Sequence, residues 1–324
     1  MHHRHITLLV FAWVAFLLSN PARTFAQHTW QKPKPLVARE QIEKVTGDYR
    51  GIELSQDRHV VWVWGYDRPH QPGAHDYLRI RDLMTGLLGK VPKLTVETAY
   101  QFPTQTQLEN ADLVVMYLHL PDLSDRQYIS LRSYLEEGGG LVALHETAII
   151  RPATEGKKLA QCLGMSWDEG NSKWGAIFEE ISIRNEHPIF KGFPEKISIT
   201  DEFYWDLNRK DGVEILGSVR TGPDKNSTER VPKSMLSDTA SPMFWTYESG
   251  KGRVFGTTLG HNTFSYYDPE LRIILFRAMA WTMREKPEPL MPLVFHGITN
   301  SDGMVGTTDD MRNWKGKLRG PPKN

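Results

Sequence analysis

The chain has 324 residues, with 39 basic and 39 acidic side chains and a single cysteine, Cys162. This charge balance gives no electrostatic basis for binding nucleic acid or an anionic membrane surface. One cysteine excludes an intramolecular disulfide and a zinc site built from several cysteines. A chain of this length suffices for one large α/β domain or two small ones, held together by a conventional apolar core.

The first 26 residues are typical of a secretory signal peptide. A basic start is followed by the apolar run Ile6 to Leu18, and small residues at Thr24 and Ala26 precede the expected cleavage site. The apolar run is too short to span a membrane comfortably. A retained signal anchor is the alternative, which the small residues disfavour. We therefore expect an exported protein, periplasmic or extracellular, with no integral membrane span after cleavage.

The remaining chain divides into three parts by composition. Residues 27–57 are polar and contain Lys32-Pro33-Lys34-Pro35, which predicts a loosely docked N-terminal arm. Residues 58–286 carry the alternating apolar segments of an α/β domain. Residues 287–324 form a C-terminal extension rich in proline, glycine and asparagine, with no pattern that indicates chemistry.

The first half of the domain alternates predicted strands and helices. They are a strand at His59–Trp64, a helix at Tyr77–Leu88 capped by Asp76, strands at Leu94–Ala99 and Asp112–Tyr117, and a helix from Ser124 to Glu137. Ser124 and Gln127 have the spacing of a capping box. Connections of this length predict a mostly parallel, doubly wound sheet of flavodoxin-like topology.

The central strand is predicted from the run Gly138 to Glu146. Three glycines end the preceding helix, and four apolar residues without alternation indicate a strand buried on both faces. His145 and Glu146 then stand at the carboxyl end of that strand, where ligands bind in open α/β sheets. The alternative is a histidine that caps the strand beside a glutamate that faces solvent.

The second half contains further strands and a last helix. The predicted elements are a helix at Lys157–Leu163, strands at Ala176–Ile183, Val213–Val219, Met243–Tyr247 and Arg253–Leu259, and a helix from Asp268 to about Arg284. The last helix is predicted to be amphipathic, with one apolar face from Leu271 to Trp281. The polar stretch Arg220 to Ser241 is predicted to be a surface insertion.

Polar side chains recur where predicted strands end. They are His70, His75 and Asp76 after the first strand, His119 after the third, His145 and Glu146 after the central strand, Asp201, Glu202 and Tyr204 later, and His261 and Asn262 after the last. Each histidine alone is more often structural, yet the set favours one shared pocket at the carboxyl edge of the sheet.

Six short motifs in this order carry a resemblance to a known family. They include Gly73-Ala74-His75-Asp76-Tyr77, the strand Gly138 to His145, His187-Pro188-Ile189-Phe190, Asp201-Glu202-Phe203-Tyr204-Trp205 and Leu259-Gly260-His261-Asn262. Over about residues 58–286 the chain resembles the ThuA-like (trehalose utilisation) family. The resemblance implies the flavodoxin-like fold of class I glutamine amidotransferases and a role in the metabolism of oxidised (keto) disaccharides and glycosides.

The chain departs from the amidotransferase pattern at the nucleophile. His145 and Glu146 occupy the region of the expected elbow, whereas Cys162 lies in a helical segment closed by Gly164. Cys162 is therefore predicted to be a small buried apolar side chain. Hydrolysis of glutamine through a thiolate has no support in this sequence.

Acids and aromatic rings together suit a small-molecule carbohydrate as the partner. The predicted substrate-binding residues are His70, His75, Asp76, Trp174, Asp201, Glu202, Tyr204, Trp205 and Asn262. For Asp201 to Trp205 the alternative is a loop that its rings fold back onto the core. The sequence is also compatible with a homo-oligomer.

Imidazole beside a carboxylate is the usual proton-transfer pair near neutral pH. We predict His145 as the base or acid, Glu146 as the group that orients it or shares its task, and His261 as the group that polarises a carbonyl. Enolisation of a keto-sugar would then lead to isomerisation, elimination or hydrolysis. The alternative from a different class is a non-catalytic sugar-binding or scaffold module.

A metal-dependent hydrolase is the mechanistic alternative. The potential ligands are His75, Asp76, His145, Glu202 and His261. No two of these histidines have the His-x-x-x-His spacing that would place them on one helix face, so the sequence predicts no resident cofactor.

Overall fold

The computed structural model describes residues 33–66, 73–220 and 240–307. The predicted signal peptide, His70 and nearly all of the predicted surface insertion lie outside these residues. The helices are α1 Arg39–Thr46, α2 Tyr77–Leu88, α3 Gln105–Asn110, α4 Asp125–Glu137, α5 Ala153–Leu163 and α6 Pro269–Thr282. The strands are β1 Val37–Ala38, β2 Arg58–Trp64, β3 Leu94–Tyr100, β4 Leu113–Tyr117, β5 Gly140–Leu144, β6 Met165–Ser166, β7 Lys173–Ile183, β8 Lys196–Trp205, β9 Asn208–Arg209, β10 Glu214–Arg220, β11 Ala240–Ser249, β12 Gly252–Thr257 and β13 Met304–Val305.

The main sheet of the described residues has nine strands in the order β3-β2-β4-β5-β12-β11-β10-β7-β8. The first five strands of this order are parallel, and the other four continue the sheet by antiparallel pairing. The predicted α/β class with a mostly parallel, doubly wound sheet is confirmed. The antiparallel extension is an addition that the crossover lengths did not predict.

Strand β2 shows why helices cover both faces of the parallel half. Its side chains alternate between two apolar clusters, with Val60, Trp62 and Trp64 in one and Val61 and Val63 in the other. Helices α2 and α6 pack over the first cluster, and α4 and α5 pack over the second. Because both faces are buried, the strand reads as a continuous apolar run, as expected for a central parallel strand.

Local capping signals place the helices as predicted. The Arg79 N–H donates to Asp76 Oδ1 at 3.3 Å and starts α2, and Ser124 forms the predicted capping box with Gln127 at the start of α4. Helix α4 ends at Gly138, whose φ of +117° is left-handed. Helix α3, which Thr104 caps, was not predicted because its six residues are too few for a clear apolar period.

Helix α6 differs from its prediction, because it is buried on almost every side rather than on one face. A second face of the helix can be buried because its two arginines donate hydrogen bonds to backbone carbonyl groups. Arg272 donates to the carbonyl oxygens of Val294 and His296, and Arg277 donates to those of Ile189 and Lys191. These carbonyl groups belong to segments far away in the sequence, so the pattern of α6 alone could not reveal the burial.

The described parts of the N-terminal arm and C-terminal extension pack against the domain and against each other. Strand β1 pairs with β13, and Lys34 Nζ lies 2.9 Å from Asp268 Oδ2 at the start of α6. Ile42 and Leu54 are buried in the main apolar cluster. This corrects the expectation of a loosely docked arm for residues 33–57. Among the described residues, no helix has the length and apolar character needed to cross a membrane.

Candidate functional site

His145 is the first residue after the central strand β5, and its backbone turns sharply there. Its φ of +53° is left-handed, a conformation that costs a non-glycine residue on the order of 1–2 kcal/mol. Thr147 holds the turn by donating from Oγ1 to the Met116 carbonyl at 2.9 Å. The side chain of His145 is fully buried, and its Nδ1 lies 2.8 Å from the Thr258 carbonyl oxygen. Because a carbonyl only accepts, Nδ1 carries the proton.

The loop after β12 brings His261 to the same place. Gly260 has a φ of +124°, and a Cβ there would lie 2.6 Å from Tyr266 Oη and 3.3 Å from His145 Cβ. Only glycine therefore allows the two loops to approach this closely. The buried carboxylate of Asp201 fixes the loop by accepting the N–H groups of Gly260 at 2.9 Å, His261 at 3.0 Å and Asn262 at 3.2 Å.

His75 approaches from the chain that follows β2. Its φ of +49° is also left-handed, and its N–H donates to the His261 carbonyl at 3.0 Å. Its Nε2 lies 3.0 Å from His145 Nε2 and 2.8 Å from His261 Nδ1. Three imidazole rings from three separate strand ends therefore present ring nitrogens to one point.

The β7–β8 hairpin adds an acid to this point. Strand β7 pairs with β10 only at Ser182 and Ile183, so the other end of the hairpin extends beyond the sheet at the carboxyl edge. Alternation then places Glu202 and Tyr204 towards the histidines. Glu202 Oε2 lies 3.8 Å from His145 Nε2 and 3.6 Å from His261 Nδ1, and Tyr204 Oη lies 2.9 Å from His145 Nε2.

We call His75, His145, Glu202 and His261 the inner cluster. One nitrogen or oxygen atom from each of them lies within 4.8 Å of the others, and all four side chains are buried. These donor types are those that bind transition metals in proteins. The inner cluster is therefore able to hold a cation or to hydrogen-bond one oxygen atom of a substrate.

We call Glu146 and His119 the rim pair. His119 Nδ1 lies 3.1 Å from Glu146 Oε1, and 39% of the His119 side chain is exposed. The second oxygen, Glu146 Oε2, lies 3.1 Å from His75 Nδ1 and accepts from Tyr77 Oη at 2.5 Å. One carboxylate thus connects a half-exposed histidine to a buried histidine of the inner cluster.

The three carboxyl groups of the site differ in their electrostatics. Burial opposes ionisation of Glu146, but hydrogen bonds from His119 and His75 hold its pKa far below the ordinary value. Burial raises the pKa of Asp201 to about 6, although the backbone N–H groups that it accepts act in the opposite direction. Burial raises the pKa of Glu202 to about 8, although the charge of His75 acts in the opposite direction. Glu146 is therefore the acid most firmly ionised at neutral pH.

The structure brings most of the predicted site residues together but changes what several of them contact. Asp201 and Asn262 support the backbone, since Asn262 Nδ2 donates to Asp201 Oδ1 at 3.3 Å. Asp76 is buried and caps α2. Trp205 is fully buried in the main apolar cluster, which removes its ring from any surface that a sugar could cover.

Two aromatic residues of the hairpin, Tyr204 and Trp174, differ in how far they are buried. Tyr204 is buried, and its ring stacks on His145 with the ring centroids 4.8 Å apart. Trp174 pairs with Tyr204 across the hairpin and is 44% exposed. Directly opposed residues of two strands point to the same face, so Trp174 lies on the side of the hairpin that faces the histidines.

The structure gives His119 a contact in the site that the sequence did not predict. His119 follows a predicted strand, but no neighbouring residue in the sequence marks it as functional. The signal that could have identified it is its position after β4, the strand beside β5.

Cys162 is fully buried in the apolar cluster beneath α4 and α5, and burial raises the pKa of its thiol to about 12. A thiolate at this position is therefore strongly disfavoured.

Comparisons with known proteins agree with the fold. The family model ThuA, described as trehalose utilisation, matches residues 61–282. Among solved structures, the chain is similar to a ThuA-like protein from Bacteroides uniformis, with 17% identity and a TM-score of 0.57 over 72% of this chain and 95% of that one. A ThuA-like protein from Parabacteroides merdae gives 17% identity and a TM-score of 0.55 over 70% and 90%. Comparison with curated proteins gives no match.

Proposed function

The chain belongs to the ThuA family of trehalose utilisation, and on that premise we propose that it is an enzyme that acts on a keto-disaccharide or keto-glycoside. The observation that supports enzymatic activity is the direct contact between the rim pair and the inner cluster through Glu146. A module that only binds sugar needs hydrogen-bonding groups and a ring, but it does not need an ionised carboxylate shared by two histidines.

The rim pair is suited to move a proton. His119 Nδ1 lies 3.1 Å from Glu146 Oε1, so in this proposal Nδ1 carries the proton and Nε2 of neutral His119 keeps its lone pair. In this proposal His119 Nε2 takes the proton from the carbon beside the sugar carbonyl, and Glu146 orients the ring. The role proposed from the sequence for His145 thus passes to His119, because His145 is fully buried and the His119 side chain is half-exposed.

The inner cluster is suited to receive the electrons. As the C–H bond breaks, its electron pair moves to the carbonyl oxygen and forms an enolate, whose charge must be stabilised. If the hydroxyl group on the deprotonated carbon passes its proton to the enolate oxygen, protonation of the former carbonyl carbon forms a new carbonyl on the neighbouring carbon, which is isomerisation. Alternatively, the electrons can expel the glycosidic substituent, which takes up a proton and leaves by elimination. Trp174 offers its exposed ring to the apolar face of a pyranose.

Exchange of hydrogen for deuterium tests the shared first step of both reactions. A keto-disaccharide incubated with the protein in D₂O should incorporate deuterium beside the carbonyl, as followed by NMR, whereas the unoxidised disaccharide should not. Substitution of His119 by Gln should reduce the exchange rate about 10²–10⁴-fold, the usual contribution of a proton-transfer group. Binding of the keto-sugar without exchange or product would instead identify a non-catalytic sugar-binding module.

We also propose that the protein works outside the cytoplasm, as the order of basic, apolar and small residues at the start of the chain suggests. N-terminal sequencing of protein from the native host should give a mature chain that begins near Gln27. Recovery of the intact chain from Met1 in the cytoplasm would contradict this location.

A further inference from the structure

We propose that the inner cluster binds one divalent transition-metal ion, zinc in particular. The ligands are Nε2 of His75, Nε2 of His145, Nδ1 of His261 and the carboxylate of Glu202. This inference deepens the proposed function, on which its chemical role rests, because the ion would supply the positive charge that stabilises the enolate.

The first argument is the protonation of two of the rings. His145 must carry its proton on Nδ1, because that atom faces the Thr258 carbonyl at 2.8 Å. The Nδ1 atom of His75 faces the carboxylate oxygen Oε2 of Glu146 at 3.1 Å, so this ring also keeps its proton on Nδ1. Both rings then direct Nε2 as an acceptor into the inner cluster, where these two atoms lie 3.0 Å apart and Tyr204 Oη lies 2.9 Å from His145 Nε2. A neutral imidazole that holds its proton on one nitrogen and directs the other into a shared cluster is the form in which histidine binds a metal ion.

The second argument is the spacing of the four donor atoms. The measured separations are 2.8 Å and 3.0 Å between ring nitrogens and 3.6 Å and 3.8 Å between Glu202 and two of the rings. Zinc–nitrogen bonds of about 2.0–2.1 Å in a tetrahedral site separate neighbouring ligand atoms by about 3.3–3.4 Å. These four values bracket that separation, and all four donor atoms lie within 4.8 Å of one another, so the set is compact enough to surround one ion after adjustment of the side chains.

The third argument is the set of groups behind the ligands. Histidines that bind a metal usually donate their other N–H to a carboxylate or a backbone carbonyl, which fixes the ring orientation. His75 has a carboxylate partner, Glu146, and His145 has a backbone partner, the Thr258 carbonyl. His261 is instead placed through its backbone by Asp201. The left-handed φ values of His75 and His145 add backbone strain of the kind that concentrates at functional sites.

A proton shared between His75 and His145 is the competing source of positive charge. It would satisfy the contact between the two Nε2 atoms, but it would not require the third imidazole and Glu202 to converge on the same point. Three nitrogen donors and one oxygen donor from four segments match the coordination chemistry of zinc better than that of a single shared proton.

Metal content of the full-length protein, purified without chelator and dialysed after incubation with zinc, tests the inference directly. We expect about one tightly bound ion per chain in addition to any held by His2, His3 and His5 near the start of the sequence. The variants His145→Gln and His261→Asn should lose that ion. Each replacement places a side-chain amide near the position of the lost ring nitrogen, and the three early histidines remain in every sample.

His187→Gln is the matched control. His187 is a half-buried histidine that accepts from the Ile189 N–H and packs beside Trp281, away from the inner cluster. This variant should bind as much zinc as the wild type. Because a cluster variant could fail to fold, Glu202→Gln provides a second test in which no histidine changes. It should lower zinc affinity at least tenfold, while circular dichroism shows an unchanged fold.

The visible absorption of bound cobalt(II) gives an independent readout. Wild-type protein and His187→Gln should show the intense bands of a four- or five-coordinate ion, and His145→Gln should not. Zinc content or cobalt spectra that are equal in wild type and in all cluster variants would overturn the inference. Absence of any stoichiometric ion from the wild type would overturn it too and would favour the shared proton.

The inference and the proposed function can fail separately. If the protein catalyses deuterium exchange into a keto-sugar but binds no metal, the metal inference fails and the proposed function stands. If zinc binds as described but no keto-sugar exchanges or reacts, the proposed function fails and the metal site stands.

Discussion

The parallel and antiparallel halves of the main sheet contribute to the site in different ways. The parallel half presents histidines at the ends of buried strands, and β2, β4 and β5 pair with one another along most of their length. The antiparallel half contributes through the end of one hairpin, which within the described residues pairs with the rest of the sheet at Ser182 and Ile183 of β7. The histidines are therefore placed by the sheet itself, whereas Glu202 and Tyr204 depend on how the hairpin docks.

Asp201 is the residue that joins the two halves. It belongs to the hairpin, but its carboxylate accepts N–H groups from the loop after β12, which is a parallel strand. Asp201 positions Glu202 because the two residues are neighbours in the chain. It positions His261 because its carboxylate accepts hydrogen bonds from the His261 loop. We therefore expect the largest loss of stability and activity from substitution of Asp201, a smaller loss from substitution of the rim pair, and the smallest loss on the far side of the sheet.

The largest effect is expected for Asp201→Ala. Removal of the carboxylate leaves buried N–H groups of Gly260, His261 and Asn262 without their acceptor, at a cost of about 1–3 kcal/mol for each unsatisfied group. We expect a loss of at least about 3 kcal/mol in the free energy of unfolding in urea, together with loss of activity.

Glu180→Ala is the control for that measurement. Glu180 lies in the same hairpin, but it forms an exposed ion pair with Lys196 at 3.1 Å. Its removal should change the free energy of unfolding by less than about 1 kcal/mol. Equal stability of the Asp201→Ala and Glu180→Ala variants would show that the hairpin does not depend on Asp201 for its docking.

The next effect is expected for Glu146→Gln, which removes the charge of the rim pair and keeps its shape. Turnover of a keto-sugar should fall about 10²–10⁴-fold because His119 and His75 lose their shared carboxylate. Some stability should be lost as well, because the Glu146 side chain is only 12% exposed and its ionised form is held by His75 and His119, so turnover is compared at a temperature at which circular dichroism shows both proteins folded.

The chain offers a matched pair elsewhere for this prediction. His59 Nε2 lies 3.3 Å from Glu97 Oε1, and 46% of the Glu97 side chain is exposed. Glu97→Gln should leave turnover unchanged, because this pair lies on neighbouring strands away from the inner cluster. A similar loss of turnover in both variants would mean that the effect is general and not a property of the rim pair.

The parallel half could be predicted from sequence because its signals are local. Four apolar residues before His145, a capping aspartate before α2 and a Ser124–Gln127 capping box each act within a few positions of the chain. The rule that parallel strands share a carboxyl edge then places the residues after those strands near one another. His75, His145 and His261 could therefore be brought together without any knowledge of distant contacts.

The hairpin could not be predicted in the same way. Asp201 to Trp205 lies inside β8 rather than after the end of a strand, and alternation places Trp205 in the core and Glu202 towards the histidines. Nothing within a few residues of Asp201 indicates that its acceptors face the N–H groups of Gly260 to Asn262, about 60 positions away. Such a contact depends on the docking of the whole hairpin.

A smaller effect is expected at Trp174, a partly exposed residue on the side of that hairpin that faces the histidines. If its ring covers one face of the sugar, Trp174→Ala should raise KM for the keto-sugar up to about tenfold with kcat nearly unchanged, because uniform binding is lost. The stability should change by about 0.5 kcal/mol or less, since the ring is 44% exposed. Ile129→Ala, at another exposed apolar residue, should leave KM unchanged. An unaltered KM in the Trp174 variant would remove the ring from the binding site.

The smallest effect is expected at Cys162, in the parallel half but within the apolar cluster beneath α4 and α5. With the pKa of the thiol raised to about 12 by burial, only about one molecule in ten thousand carries the thiolate at pH 8. The folded protein should therefore resist alkylation at pH 8 and react only when it is unfolded in urea.

Cys162→Ala should keep wild-type turnover and lose about 1 kcal/mol of stability through a small cavity, while Cys162→Ser should lose more because its hydroxyl would be buried in an apolar cluster. The two variants separate packing from chemistry, since both lack the sulfur but only one of them adds a polar atom. If an alkylating reagent inactivates the folded wild type and spares the alanine variant, chemistry takes place at this helix. In that case the carboxyl edge would not be the only reactive region. The difference between the two halves of the sheet would then no longer explain where the chemistry takes place.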